Sequence, residues 1–343
     1  MTYAIIALLT VATLIYGLYV VFPAALKPSG KGVKRWAYLF GITLITEILV
    51  FALAPLFGWW LPPGRSTYSG DIDLLFYVIL AVTGATFIGV SIVYTYVLFK
   101  YPSQEGRPSL YSHGNIKLEM VWTAIPGVLL FLLAIGQIPA WLKVKMPTLD
   151  EGSAAQALQV EVVGRQWEWR VRYPSSEHLE RWRSDPRAAL TDLRRKLAPQ
   201  PDDVRLVNEL HAVKGERLFI HLRTMDVIHS LFLPQMRLKQ DALPGKTILA
   251  WFEPTEANCQ RVGDTWHTGV RKDAKGNWVE DPLYKWEIAC TEFCGSRHSL
   301  MRGKLFVHET REDFEAWLKL AAARQRVTAP PTEAKPGAGA AGQ

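Results

Sequence analysis

The chain has 343 residues, 49% of them hydrophobic, a formal net charge of +7 and a mean hydropathy of only +0.05. Those figures exclude both an ordinary soluble enzyme and a wholly membrane-embedded protein, because the apolar residues are concentrated in one part of the chain. A covalently attached haem is excluded too, since no Cys-x-x-Cys-His is present.

The first 142 residues hold four apolar runs, about Tyr3 to Phe22, Trp36 to Leu61, Leu74 to Phe99 and Leu118 to Leu142. Each is long enough to cross about 30 Å of hydrocarbon as a helix. The first has no Lys or Arg ahead of it and too long an apolar core for a secretory signal, so it reads as a spanning helix. Lys27, Lys31, Lys34 and Arg35 follow it, and Lys100, Arg107 and Lys117 separate the third run from the fourth. Short loops rich in these residues stay cytoplasmic. The pattern predicts an outside amino terminus, four crossings and an outside location for everything after Leu142. Gly17, Gly41, Gly84 and Gly89 offer points of close helix approach. Two acids lie within the runs. Glu47, in ITLITEILV, is expected to make a polar helix–helix contact. Glu119 opens the fourth helix and is either a first-turn acid favoured by the helix dipole or a functional group.

From Leu158 the pattern changes to short strand-like pieces, LQVEVVGRQWEWRVRYP, ERLFIHLRTMDVIHSLFLP, KTILAWFEP, KWEIAC and GKLFVHE. Such pieces between Gly, Pro and charged turns predict an all-β sandwich or barrel. Trp167 and Trp169 alternate with Glu168, which would put both indoles on one face of a strand. Ser175 to Asp203 is a charged interruption with a helical pattern around Arg187 to Leu197, and about Glu253 to Tyr284 is a second insertion holding Cys259, Trp266 and His267. His178, His211, His221 and His308 fall outside any ligand spacing. The segment from Arg311 reads as an amphipathic helix, and the last residues, TAPPTEAKPGAGAAGQ, are low in complexity and expected to be disordered. The expected division is 1–62 for two added helices, 63–142 for a helix hairpin, 143–323 for the β domain and 324–343 for the tail.

The chemistry concentrates in CTEFCGSRHSLM, Cys290 to Met301, with the spacing C-x3-C-x3-H-x2-M. Thiolate and thioether are soft donors and imidazole is borderline, a combination that selects copper or zinc over magnesium or calcium; the weak axial Met favours an electron-transfer copper. Two thiolates, Cys290 and Cys294, can bridge two ions, each keeping one imidazole. His298 supplies one, and His229 in DVIHSLFLP is the candidate for the other. A disulfide between the two cysteines is the alternative in an oxidising compartment, although it leaves His298 and Met301 unexplained. Cys259 reads as a free thiol.

DVIHS, then KQDALPG, then CTEFCGSRHSLM resemble the copper-bearing subunit II of the haem-copper cytochrome c oxidases. The resemblance implies a cupredoxin-like domain with a dinuclear copper (CuA) centre held by His229, Cys290, Cys294, His298, Met301 and the main-chain carbonyl of Glu292. It implies a magnesium ion shared with the catalytic subunit through the Glu292 carboxylate, and places Asp241 at that subunit interface. Trp167 would receive electrons from cytochrome c, with Glu168 standing where the family usually has an aromatic residue. LEMVWTAIP resembles the start of the second helix of subunit II, where Glu119 would mark a proton pathway. The third and fourth apolar runs match the family's hairpin; the first two are additional.

The implied activity is that of an oxidoreductase subunit in aerobic respiration: electrons from cytochrome c, or from a cytochrome c domain, pass to haem in subunit I, where oxygen is reduced and protons are translocated. The implied location is a bacterial inner membrane, multi-pass, with the copper domain periplasmic; the partners are the other oxidase subunits and lipid, not nucleic acid. Residues 143–343 carry 31 Lys and Arg against 27 Asp and Glu, and Arg165, Arg170 and Arg172 flank Trp167. An acidic or neutral donor, or a tethered one, is therefore expected, docking through apolar contact. The alternatives are a quinol oxidase subunit II without metal and a copper-delivery membrane protein; nitrous oxide reductase shares the copper loop but is disfavoured by the spanning helices.

Overall fold

The computed structural model describes residues 30–58, 60–102, 106–108, 110–146, 157–175, 200 and 202–328. The expected first span (Tyr3 to Phe22), most of the charged interruption and the tail from 329 lie outside them. The chain divides into two compact units, one made of residues up to Leu61 with Leu74–Gly136, the other of Pro62–Asp73 with the residues from Gln137 on.

The first unit is helical. α1 (Gly30–Leu53), α2 (Ser69–Lys100) and α3 (Ile116–Gly136) are its helices; α4 (Ile138–Lys145) belongs to the second unit. Three spans are long and apolar enough to cross a membrane, Ala37–Phe57, Ser69–Lys100 and Ile116–Lys145. Three of the four expected crossings are thus present among the described residues. Hydroxyls on these helices are satisfied locally, as hydrocarbon demands: Thr46, Thr83, Thr86 and Thr95 each bond the carbonyl four residues back, at 2.7–2.8 Å. α1 meets α2 through Phe40 on Tyr94 and Tyr38 on Phe99. Of the glycines expected at close approaches, Gly41 faces Thr95 Cγ2, whereas Gly84 and Gly89 face open space. Glu47 is exposed on α1, and among the described residues it has no hydrogen-bond or ion-pair partner.

The second unit is a sandwich of two five-stranded sheets, ordered β3-β2-β1-β5-β8 and β4-β14-β13-β6-β7. In the first sheet the strands are β1 (Leu158–Arg165), β2 (Glu168–Tyr173), β3 (Val204–Val207), β5 (Leu218–Thr224) and β8 (Ile248–Phe252). In the second they are β4 (Glu209–Val213), β6 (His229–Leu233), β7 (Leu238–Ala242), β13 (Glu287–Cys290) and β14 (Arg302–His308). Among the described residues, only β1–β5 and β4–β14 pair in parallel. One apolar core, including Val160, Trp169, Leu222, Leu231, Ile288 and Leu305, joins the inner faces. α5 (Arg311–Thr328), the expected amphipathic helix, buries Phe314 and Trp317 against it. Pro62–Asp73 packs here as well: Tyr68 is fully buried, donates to the Trp251 carbonyl at 2.9 Å and sets its ring edge-on to that indole.

Two long sequence runs are each broken by a turn. Gln166 and Trp167 form a two-residue connection between antiparallel β1 and β2, so the same-face argument for the two indoles does not apply. The run containing DVIHS splits because Thr224 Oγ1 bonds the Val227 carbonyl and Asp226 Oδ1 accepts from Val227 N–H, closing a side-chain turn. That turn moves the chain from the first sheet to the second. The second insertion forms two small hairpins, β9 (Cys259–Val262) with β10 (Thr265–Thr268) and β11 (Val270–Lys272) with β12 (Trp278–Glu280).

Buried Asn258 fastens these hairpins to the sandwich. Its Nδ2 donates to the carbonyls of Tyr284 (3.0 Å) and Leu305 (2.8 Å), and its Oδ1 accepts from Val307 N–H at 2.7 Å. Asn258→Ala removes three bonds and strands buried backbone groups, so it should cost about 2–4 kcal/mol. Denaturant unfolding of the purified chain, followed by far-UV circular dichroism, checks this as a lower midpoint.

Candidate metal centre

His229 begins β6 and its ring is wholly removed from water. Gly164 on β1 makes the space: a Cβ there would fall 2.8 Å from His229 Cδ2. The indole of Trp169 meets the ring edge-on at 6.0 Å. His229 Nε2 lies 2.8 Å from Asp226 Oδ1, while Nδ1 lies 3.8 Å from Cys290 Sγ. The carboxylate thus holds Nε2 as an N–H donor and turns Nδ1 toward sulfur, where it donates to a thiolate while the ring is doubly protonated and offers a lone pair once that proton is lost. Burial lowers the pKa of this ring, but Cys290 and Asp226 together raise it above its ordinary value.

Cys290 ends β13, and Cys294 follows in the loop with its Sγ 3.9 Å from the first. A disulfide needs about 2.05 Å; both thiols are free. Around them the loop brings the Glu292 carbonyl 3.3 Å from Cys290 Sγ, His298 Nδ1 3.5 Å from Cys294 Sγ and Met301 Sδ 3.9 Å from Cys294 Sγ. Met301 is fully buried and its carbonyl accepts from Cys290 N–H, which ties the far end of the loop back to its start. His229, Cys290 and Cys294 present ligand atoms within 4.8 Å of one another.

The acidity of the thiols shows what the cluster requires. Burial pushes Cys290 up, but hydrogen bonds, first that with His229, bring it down to about 6. Cys294 is pushed up to about 12, by burial first and then by the charge of Cys290. The first thiol therefore ionises more readily than the second, whose charge the first opposes; a cation held by both residues would favour the second ionisation. Two thiols with two imidazoles, one thioether and one main-chain carbonyl around them, five of the six donors soft or borderline, fit a copper centre.

Trp167 is half-buried in the β1–β2 turn, where its Nε1 donates to the Cys294 carbonyl at 3.2 Å. Gln166 Nε2 donates to the same oxygen at 2.8 Å. Gln166 and Asp226 carry no ligand spacing in the sequence; an acid three residues before the candidate histidine is the available signal for Asp226. The expected positive crowding is reduced, with Arg165 and Arg170 left exposed beside Glu168. Arg172 is buried on Glu161 (2.7 Å) and Asp203 (2.6 Å), and Arg170 pairs with Glu168 at 2.7 Å. Asp241 is exposed and accepts from Ser230 Oγ at 2.6 Å; Glu292 is exposed. Glu119, in the helical unit, takes no part in this cluster: its Oε1 accepts from Asn115 N–H at 3.2 Å, while Asn115 Oδ1 accepts from Leu118 N–H, a reciprocal cap on α3.

Two family models match the sequence: cytochrome c oxidase subunit II, transmembrane domain, over residues 54–139, and cytochrome c oxidase subunit II, periplasmic domain, over residues 158–259. The chain belongs to the cytochrome c oxidase subunit II family. It is a membrane protein with an extracytoplasmic domain, and a subunit of an oxidoreductase complex. Among its relatives, the alternative cytochrome c oxidase subunit 2 of Bradyrhizobium diazoefficiens is 28% identical over 288 residues, 80% of this chain and 87% of that one. A probable cytochrome c oxidase subunit 2 of Rickettsia bellii is 27% identical, over 83% and 92% of the two chains. The family implies copper, which the donor geometry suits. The periplasmic match ends at 259, where the inserted hairpins begin, so the Cys290–Met301 loop is placed by the fold rather than by that match.

Gly295 lies directly beneath Trp167. Its φ is +117°, and a Cβ would fall 3.1 Å from Gln166 Nε2 and 3.3 Å from the indole. Gly295→Ala should therefore displace Trp167 and cost about 1–3 kcal/mol of backbone strain, seen as a changed near-UV tryptophan dichroism and a lowered melting temperature.

Proposed function

We propose that this chain accepts single electrons from cytochrome c at a dinuclear copper centre and passes them to haem in the catalytic subunit of a haem-copper oxidase. The observation that carries the reading is the six-donor cluster, with one imidazole beside each of two thiol sulfurs 3.9 Å apart. Bound copper supplies one-electron exchange with little change of geometry. Cys290 and Cys294 would hold the copper through their thiolates, His229 and His298 through one imidazole each, and Met301 and the Glu292 carbonyl as weaker donors. Asp226 accepts from His229 Nε2–H and so aims Nδ1 at the sulfurs. Trp167 receives the electron, and its N–H bond to the Cys294 carbonyl joins the indole to that cysteine through the main chain. Exposed Phe293, Leu300, Met225 and Ile228 on the loops flanking the cluster support apolar docking of the donor. The Glu292 carboxylate is offered to a magnesium ion shared with subunit I, a hard cation suited to oxygen.

A bacterial inner membrane, with the sandwich in the periplasm, fits the basic cytoplasmic loops. A quinol oxidase subunit has no use for these donors. A copper-delivery role is disfavoured because His229 and Met301 are fully buried and come from separated elements. Glu119 is assigned to a proton pathway by resemblance; its cap on Asn115 would survive in Glu119→Gln, which keeps an acceptor oxygen.

Metal analysis of the purified, copper-reconstituted chain should give two coppers per chain. Cys290→Ser and Cys294→Ser should each abolish the mixed-valence spectrum, and Met301→Leu should retain copper at an altered potential. One copper per chain would refute the dinuclear assignment. Trp167→Ala should slow reduction by cytochrome c at least tenfold with copper content unchanged, and Glu119→Gln should slow turnover without altering the copper spectrum.

A further inference from the structure

The C-terminal helix closes over the sandwich through buried polar groups that the metal centre does not use. Asp313 on α5 accepts from His308 Nδ1 at 2.9 Å, and His308 Nε2, at the end of β14, lies 3.0 Å from His211 Nδ1 on β4. The carboxylate fixes the tautomers. His308 carries its proton on Nδ1, so its Nε2 accepts from His211 Nδ1–H, and His211 Nε2 is left with a lone pair. That nitrogen has no hydrogen-bond partner; Glu209 Oε2 is 3.9 Å away. The two rings are 1% and 0% exposed. His211 is sandwiched between Trp317 of α5, at 3.6 Å and 13°, and Phe306 of β14, at 4.4 Å and 4°.

The groups facing this chain are few. Tyr173 of β2 exchanges two hydrogen bonds with the His211 backbone, and Trp266 of β10 donates to Asp313 at 3.0 Å. The charged or titratable neighbours are Glu209 beside His211, Asp313 and Glu309 beside buried Cys259, whose thiol burial pushes well up, and Arg261, which acts on Asp313. Asp313 already takes two N–H bonds, and Glu209 is half in water. Neither offsets the loss of hydration, which holds His211 well below the ordinary imidazole range and His308 below it.

We propose that Asp313, His308 and His211 form a proton-operated latch, which holds α5 on the sandwich at neutral pH and releases it on acidification while both sheets stay folded. Released, both rings regain an imidazole pKa of about 6.5; latched, they remain neutral. The released state therefore binds more protons below about 6.5, and the latched fraction falls with pH by up to about tenfold per unit for each histidine. The sandwich lies outside the cytoplasm, so the latch reads the pH of that compartment.

Hydrogen exchange of the purified full chain in detergent, corrected for intrinsic rates, tests this at pH 7.5, 6.5 and 5.5. Protection of residues 311–328 should fall at least tenfold between pH 6.5 and 5.5, while that of β5 holds. His211→Phe/His308→Phe, which keeps flat rings in the stack without titrating nitrogens, should abolish the fall. Should that variant not fold, His211→Phe alone should show at most a tenfold drop and one smaller than the wild type's. Unchanged wild-type protection, an equal loss in β5, or a full drop in the variants would overturn the latch.

Discussion

Two sulfur atoms held 3.9 Å apart in a nearly dry site are the constraint on which the outer domain depends. One thiolate is comfortable there because His229 bonds it; a second is opposed by the first. A cation resolves that conflict, and copper is the cation that thiolate, imidazole and thioether together select. The rest of the domain brings these donors close without requiring them to move.

The sandwich does this by placing β6 beside β13. Their pairing, with Ala289 opposite Phe232 and Cys290 opposite Leu231, fixes His229 relative to the first cysteine. The first sheet contributes from across the core: Gly164 leaves room for the imidazole, and the β1–β2 turn lays Trp167 and Gln166 onto the Cys294 carbonyl. The metal loop is thus backed by both sheets, which suits a centre that exchanges electrons with little rearrangement.

The inserted hairpins lengthen the chain between His229 and Cys290 without disturbing the pairing of their strands, with Asn258 anchoring the insertion to Tyr284 and to Leu305 and Val307 of β14. They also supply Trp266 to Asp313, so the insertion and the C-terminal helix share one polar junction. His211 and His308 fall outside any ligand spacing in the sequence. What joins them is parallel pairing of β4 with β14, strands almost a hundred residues apart.

The sequence by itself determined what depends on residue type and short spacing. The apolar runs specify spanning helices by length, and alternating strands specify a β domain. C-x3-C-x3-H-x2-M specifies a soft-metal loop because all its donors lie within twelve residues. His229 was legible only beside that loop. The tertiary structure decided what depends on which strands meet. A turn at Asp226 sends one long apolar run into two sheets, and a turn at Trp167 breaks the expected alternation of the indoles. Gln166 and Asp226 acquire roles only once the fold sets them against Cys294 and His229. Arg172, a positive charge in the sequence, becomes a buried partner of Glu161 and Asp203. Periodicity reports which face a residue takes within one element; it carries no term for the partner that another element delivers to that face.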